Sequence, residues 1–141
     1  MEQNEQPKFS LVNYRICKFN LDLDEAGDGS DIEINFETSG VFHKEEKSYD
    51  LSLIFKAAKD KEGLEKPYIS AKIHAYFKFE NTNSVADIPD YFYSNSIAMT
   101  FPFLRSFISS LSLQANARLL LLPTLNLSSL KDPLKNNTIE K

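Results

Sequence analysis

Apolar and polar residues alternate through most of the first half of the chain. Over residues 49–58, Tyr49, Leu51, Leu53, Phe55 and Ala57 share one side. Over residues 68–80, Ile69, Ala71, Ile73, Ala75, Phe77 and Phe79 do the same, opposed by Ser70, Lys72, His74, Tyr76, Lys78 and Glu80. Residues 31–42 set Ile32, Ile34, Phe36 and Phe42 against Glu33, Asn35 and Glu37. A period of two with one polar side predicts antiparallel strands that keep one face wet. Between them, KDKEGLEKP is a polar hairpin loop with Gly63 and Pro67 as breakers, and Asp24 to Asp31 (DEAGDGSD) is a loop. Residues 8–24 change phase: Phe9 and Leu11 are odd, Val12, Tyr14 and Ile16 even, and Cys17, Phe19, Leu21 and Leu23 odd again. A side chain changes face only with an extra residue, so this strand is expected to bulge or bend sharply.

After Pro89 the period lengthens. Phe103, Leu104, Phe107, Ile108 and Leu111 follow helical spacing, with Pro102 as a first-turn residue or a kink. Asp90 to about Thr100 is then a shorter helix or the upstream arm of one kinked helix. Leu119 to Leu127 contains Pro123 and reads as extended. The fold class expected is α+β, a four-stranded antiparallel sheet followed by helices packed on one face. Residues 1–7 are assigned to a flexible N-terminus, 8–130 to one domain and 131–141 (KDPLKNNTIEK) to a frayed polar tail. From Tyr91 to Ala117 one ionisable charge occurs, Arg105. Helices covered on one side carry charges on the other; here the outer positions offer Ser94, Ser96, Ser106, Ser109, Ser110 and Ser112. That composition predicts burial on both sides, by sister subunits or by the C-terminal arm.

Composition narrows the function. With 16 Lys and Arg against 20 Asp and Glu the net charge is −4, a poor balance for binding nucleic acid. One cysteine, Cys17, permits no intrachain disulfide and reads as a small core residue. MEQNEQPKFS lacks the apolar run of a secretory signal, and Leu119–Leu122 is too short to cross a bilayer, so a cytoplasmic location without membrane insertion is expected. His43 and His74 have no ligand-spaced Cys or His beside them and read as solvated, so neither a metal site nor a cofactor is expected. From Asp22 to Glu37 seven acids occur without a Lys or Arg. This is a solvated acidic surface or a docking surface for a basic partner.

The stretch Phe101-Pro102-Phe103-Leu104-Arg105-Ser106-Phe107-Ile108-Ser109-Ser110-Leu111, followed by Leu122-Pro123-Thr124-Leu125-Asn126-Leu127, resembles the SecB protein-export chaperone family. That family carries an aromatic–Pro–aromatic–x–Arg helix start and then Pro–x–Leu–Asn–Leu, after four antiparallel strands. The link from Gln114 to Leu121 is longer than usual in the family, and the helix after Leu-Asn-Leu is shortened to Ser128–Leu134. The resemblance implies a non-enzymatic, ATP-independent holdase that binds unfolded polypeptides in apolar grooves, serving protein export and translocation or a dedicated client such as an antitoxin. It implies sheets joined edge to edge in dimers, and dimers sandwiching their helices into a homotetramer. Ile32, Ile34, Phe36, Leu125, Leu127 and Leu130 are the implied groove residues, with Tyr91 and Phe92 as further lining, although Ile32, Ile34 and Phe36 equally suit the core under the helix. Phe103, Arg105, Ser106, Ser109, Ser110 and Ser112 are the implied subunit interface. SecB proteins dock on the SecA motor through an acidic sheet surface; Asp22 and Asp24 match that role, while Lys18 stands at a second such position. The alternative is a hotdog-like acyl-CoA thioesterase using Asp87, Asp90 or His74, against which the best helical pattern follows all the strands instead of preceding most of them. An oligomerisation domain without a client is a third reading.

Overall fold

A computed structural model of the chain describes residues 7–25, 32–117 and 127–141. Strands β1 (Lys8–Leu21), β2 (Glu33–His43), β3 (Ser48–Ala58) and β4 (Ile69–Glu80) fall where alternation places them. They are followed by helix α1 (Asp90–Gln114), a 3₁₀ turn (Leu127–Leu130), helix α2 (Lys131–Asn136) and strand β5 (Thr138–Glu140). The sheet order is β1-β4-β3-β2-β5. The first four strands pair antiparallel, but β5 runs parallel to β2, with Gly40, Val41 and Phe42 opposite Thr138, Ile139 and Glu140. The sheet is therefore five-stranded and mixed, where four antiparallel strands were expected.

The phase changes in β1 are two bulges. Register slips between Leu11 and Asn13 and again between Ile16 and Lys18. Val12 and Cys17 are the extra residues, so Phe9, Leu11, Tyr14, Ile16, Phe19 and Leu21 all meet core-facing residues of β4. Cys17, expected in the core, is exposed because it is the unpaired residue of the second bulge.

Helix α1 is continuous through Pro102, which is exposed and stands where the lost backbone hydrogen bond faces away from the sheet. It begins after extended Pro89, with Asp90 in the first turn where the helix dipole favours an acid. It ends on Asn116 in a left-handed conformation (φ 55°); the amides of Asn116 and Ala117 donate to the carbonyls of Leu113 and Ser112 at 3.1 and 3.0 Å. Nine of its 25 residues are buried, among them the i+4 row Phe92, Ser96, Thr100, Leu104, Ile108 and Ser112. Ser96 and Thr100 are tolerated there because their hydroxyls donate to the carbonyls of Tyr93 (3.3 Å) and Ser96 (2.7 Å).

The core has two halves. One gathers Phe42, Tyr49, Phe77, Phe79, Phe92 and Leu134 around ring-to-ring contacts such as Tyr49–Phe92 at 4.8 Å. The other gathers Leu53, Phe55, Ile73, Phe101, Leu104 and Ile108. Leu127 and Leu130 pack against both.

Residues 131–141 are not a frayed tail, because α2 and β5 are built into this core. Leu134 is fully buried, and the hydroxyls of Tyr49 and Thr138 hydrogen-bond at 2.6 Å. Gly40 makes the space, since a Cβ there would lie 1.8 Å from the Tyr49 hydroxyl.

Candidate functional site

The outer edge of β2 is half closed. Its even-numbered residues turn their backbone groups away from β3. Gly40 N donates to the Asn137 carbonyl at 3.2 Å, and the Phe42 carbonyl accepts from Lys141 N at 2.8 Å. The Thr38 carbonyl accepts from the Asn137 side-chain amide at 3.1 Å. The same alternation turns Ile34 and Phe36 outward, where no strand among the described residues follows. A hollow of about 410 Å³ lies against this edge, bounded by Phe36, Glu37, Thr38, Ser39, Ile54 and Pro133. The buried Thr38 hydroxyl has no hydrogen-bond partner among the described residues.

The predicted groove residues divide. Ile34 and Phe36 lie half-buried on the helix side of this edge, and the Phe36 ring meets Phe55 and Phe101 at 5.5 and 5.6 Å. The side of β2 expected to line a groove is thus the side that meets the core, the strand being at the margin of the covering helix layer. Ile32 is exposed just before β2, and Leu127 and Leu130 are half-buried above the sheet. Leu125 lies outside the described residues. Tyr91 is 46% exposed, whereas Phe92 is fully buried. One residue turns a helix by about 100°, so Phe92 belongs to the aromatic core and not to an open groove. The closure of this edge by Asn137 and Thr138 was not anticipated; the signal for it is Thr-Ile-Glu, a short β-prone alternation after two asparagines.

The outward side of α1 carries Tyr91, Met99, Phe103 and Leu113, all exposed, with Ser106 and Ser110 between them. Phe103 stacks on Tyr14 at 4.0 Å. Arg105 and Ser109 are half-buried on its flanks. Ser112, predicted at a subunit interface, is 2% exposed and sits in the row facing the sheet. The helix is long and apolar enough by composition to cross a membrane; its buried row gives that composition a role in the core.

Charged groups are spread over several parts of the described structure. Asp22 and Asp24 follow β1, and the Asp22 carboxylate accepts from Asp24 N at 3.1 Å. Asp87 accepts from Asn83 N at 3.1 Å. Asp90 pairs with Lys131, and with Lys135 at 3.1 Å, joining the start of α1 to α2. Hydrogen bonds from those two lysines hold the Asp90 carboxyl below its usual range, and the same pair raises Lys131. Of the thioesterase candidates, His74 is on the polar side of β4, and Asp87 and Asp90 stand just before and at the start of α1. His43 meets Asp50 at 2.9 Å. Among the described residues no group of three His, Cys, Asp or Glu side chains is placed to hold a metal ion.

No family model matches the chain. An uncharacterized protein of Methanocaldococcus jannaschii is 24% identical over all of this chain and 96% of its own length. Among solved structures, the fold is similar to that of the SecB-like chaperone Rv1957 of Mycobacterium tuberculosis, solved in complex with a ChAD peptide from the Rv1956 HigA1 antitoxin. The TM-score is 0.62 at 12% identity, covering 83% of this chain and 90% of that one. The chain thus has the fold of a SecB-like chaperone.

Proposed function

We propose that this protein is a divergent SecB-like chaperone, an ATP-independent holdase that keeps unfolded polypeptides from aggregating. The observation that carries the reading is the outer edge of β2. There, backbone groups of Ile34 and Phe36 that no strand among the described residues pairs adjoin half-buried apolar side chains and an open hollow. An unfolded client offers extended backbone and apolar side chains, and such an edge accepts both without a sequence code. Burial at about 25 cal/mol per Å² over a long groove then offsets the cost of ordering the client. The solved neighbour, in complex with an antitoxin peptide, supports polypeptide binding by this fold.

On this reading the protein has no catalytic activity, needs no cofactor and works in the cytoplasm. The uncharged outer side of α1 packs on sister subunits, giving a homotetramer assembled as a dimer of dimers. Its clients are export substrates or a dedicated partner such as an antitoxin. In export, Asp22 and Asp24 would contact the SecA motor, with Lys18 opposing that attraction.

The test is suppression of aggregation of a reduced, unfolding model client without nucleotide, followed by light scattering. Substoichiometric protein is expected to suppress it. Ile34→Pro removes an outward N–H that no strand among the described residues uses, and Phe36→Ser removes the ring beside it; each should weaken suppression while leaving oligomeric mass unchanged. Failure of the parent protein at every ratio would overturn the reading, and hydrolysis of acyl-CoA esters would favour a thioesterase.

A further inference from the structure

We propose that the solvent-facing side of the sheet at β1 and β4 docks an acidic protein segment, an extended stretch rich in Asp and Glu, held by Arg15, Lys18 and Lys72. The register sets these cations together. Lys18 stands directly opposite Lys72, and Arg15 directly opposite His74. Like charges facing each other across strands destabilise a sheet, and an anionic partner relieves that repulsion. The second bulge creates the arrangement. If Cys17 were paired in regular alternation, Lys18 would fall on the apolar side; because Cys17 bulges out of the pairing, Lys18 joins Arg15 on the wet face.

The cations are also free to act. Lys56 is paired with Glu37, and Lys131 and Lys135 with Asp90, but among the described residues no ion pair engages Arg15, Lys18 or Lys72. Beside them an open hollow of about 230 Å³ is bounded by Asn13, Arg15, Asp50, His74 and Tyr76. Asp50 is the acid lining it, and Asp50 is already bonded to His43. The surrounding field is positive: after burial, the charges of Lys72 and Arg15 lower the His74 pKa, against an opposing pull from Asp50. All this occurs in a chain whose net charge is −4.

A short carboxylate-bearing segment suits this surface better than a nucleic acid. Arg15 to Lys18 spans about 10 Å along the strand, and Glu37, Asp50 and Glu80 on the same face flank the cluster and would repel a longer phosphate backbone. Docking here is independent of the β2 edge, so it stands or falls apart from the chaperone reading.

The experiment is fluorescence anisotropy with a labelled, extended Glu–Ser repeat peptide. The parent protein should bind it, more weakly as salt rises. Lys18→Glu should weaken binding about tenfold or more, whereas Lys61→Glu, the same charge change in an exposed loop, should leave it within about twofold. Because Lys18→Glu faces Lys72, it should hold or raise the thermal midpoint, which separates lost binding from unfolding. It should also leave suppression of client aggregation unchanged. Undiminished binding by Lys18→Glu, equal losses from both variants, or stronger binding of an oligothymidylate of matched charge would each overturn the proposal.

Discussion

The two sides of α1 differ less in hydrophobicity than in what meets them. Toward the sheet, Phe92, Ile97, Leu104 and Ile108 are fully or almost fully buried; away from it, Tyr91, Met99, Phe103 and Leu113 are 37–65% exposed. Ordinary surface helices distinguish their sides by charge. Here neither side is charged; the sheet covers one of them, and on the proposed reading a sister subunit covers the other. Large exposed apolar surfaces of this kind mark interaction sites.

Substitutions on the two sides should separate these roles. Phe92→Ala should cost about 3–5 kcal/mol in urea-induced unfolding, because it empties a site where five other rings converge. Ser96→Leu should cost about 1–3 kcal/mol, since the buried row has no room for a larger side chain where helix meets sheet. Met99→Lys should change stability by no more than about 0.5 kcal/mol yet reduce the assembled mass measured by light scattering. An unchanged mass would show that the outward side does not join copies of this chain. The smallest effect concerns the anchoring of the helix start. Asp90 has a folded-state pKa below its unfolded value, so its contribution is complete above about pH 4 and is lost as pH falls through the lowered value. Asp90→Asn should therefore flatten the acid limb of a stability profile by lowering stability slightly at neutral pH, while leaving the most acidic region nearly unchanged.

Much of this architecture is legible in the alternation of residues. The strands, and the phase changes of β1, follow from a side-chain period of two, because one face is buried and every slip is visible. What escaped depends on contacts distant in sequence. Residues 131–141 are polar, and only the space at Gly40, the Tyr49 hydroxyl and the pocket for Leu134 turn them into a helix and a strand. Ser96 and Ser112 look like surface residues by type, yet the spacing from Phe92 through Thr100 to Ile108 places them inward. Composition and period disagreed at these positions, and period decided. For the candidate site, Ile34 and Phe36 were readable as apolar, but not that they lie at an edge, because strand order is a property of the whole sheet.

The fifth strand has a consequence for how the protein is made. Asn137, which closes the edge at Thr38, is 99 residues further along the chain. During translation β2, β3 and β4 can assemble while that margin is still bare. At about 5–20 residues per second the stretch from the end of β4 at Glu80 to Asn137 takes on the order of 3–11 s, and throughout it the nascent sheet is open to pairing with another nascent chain on the same message.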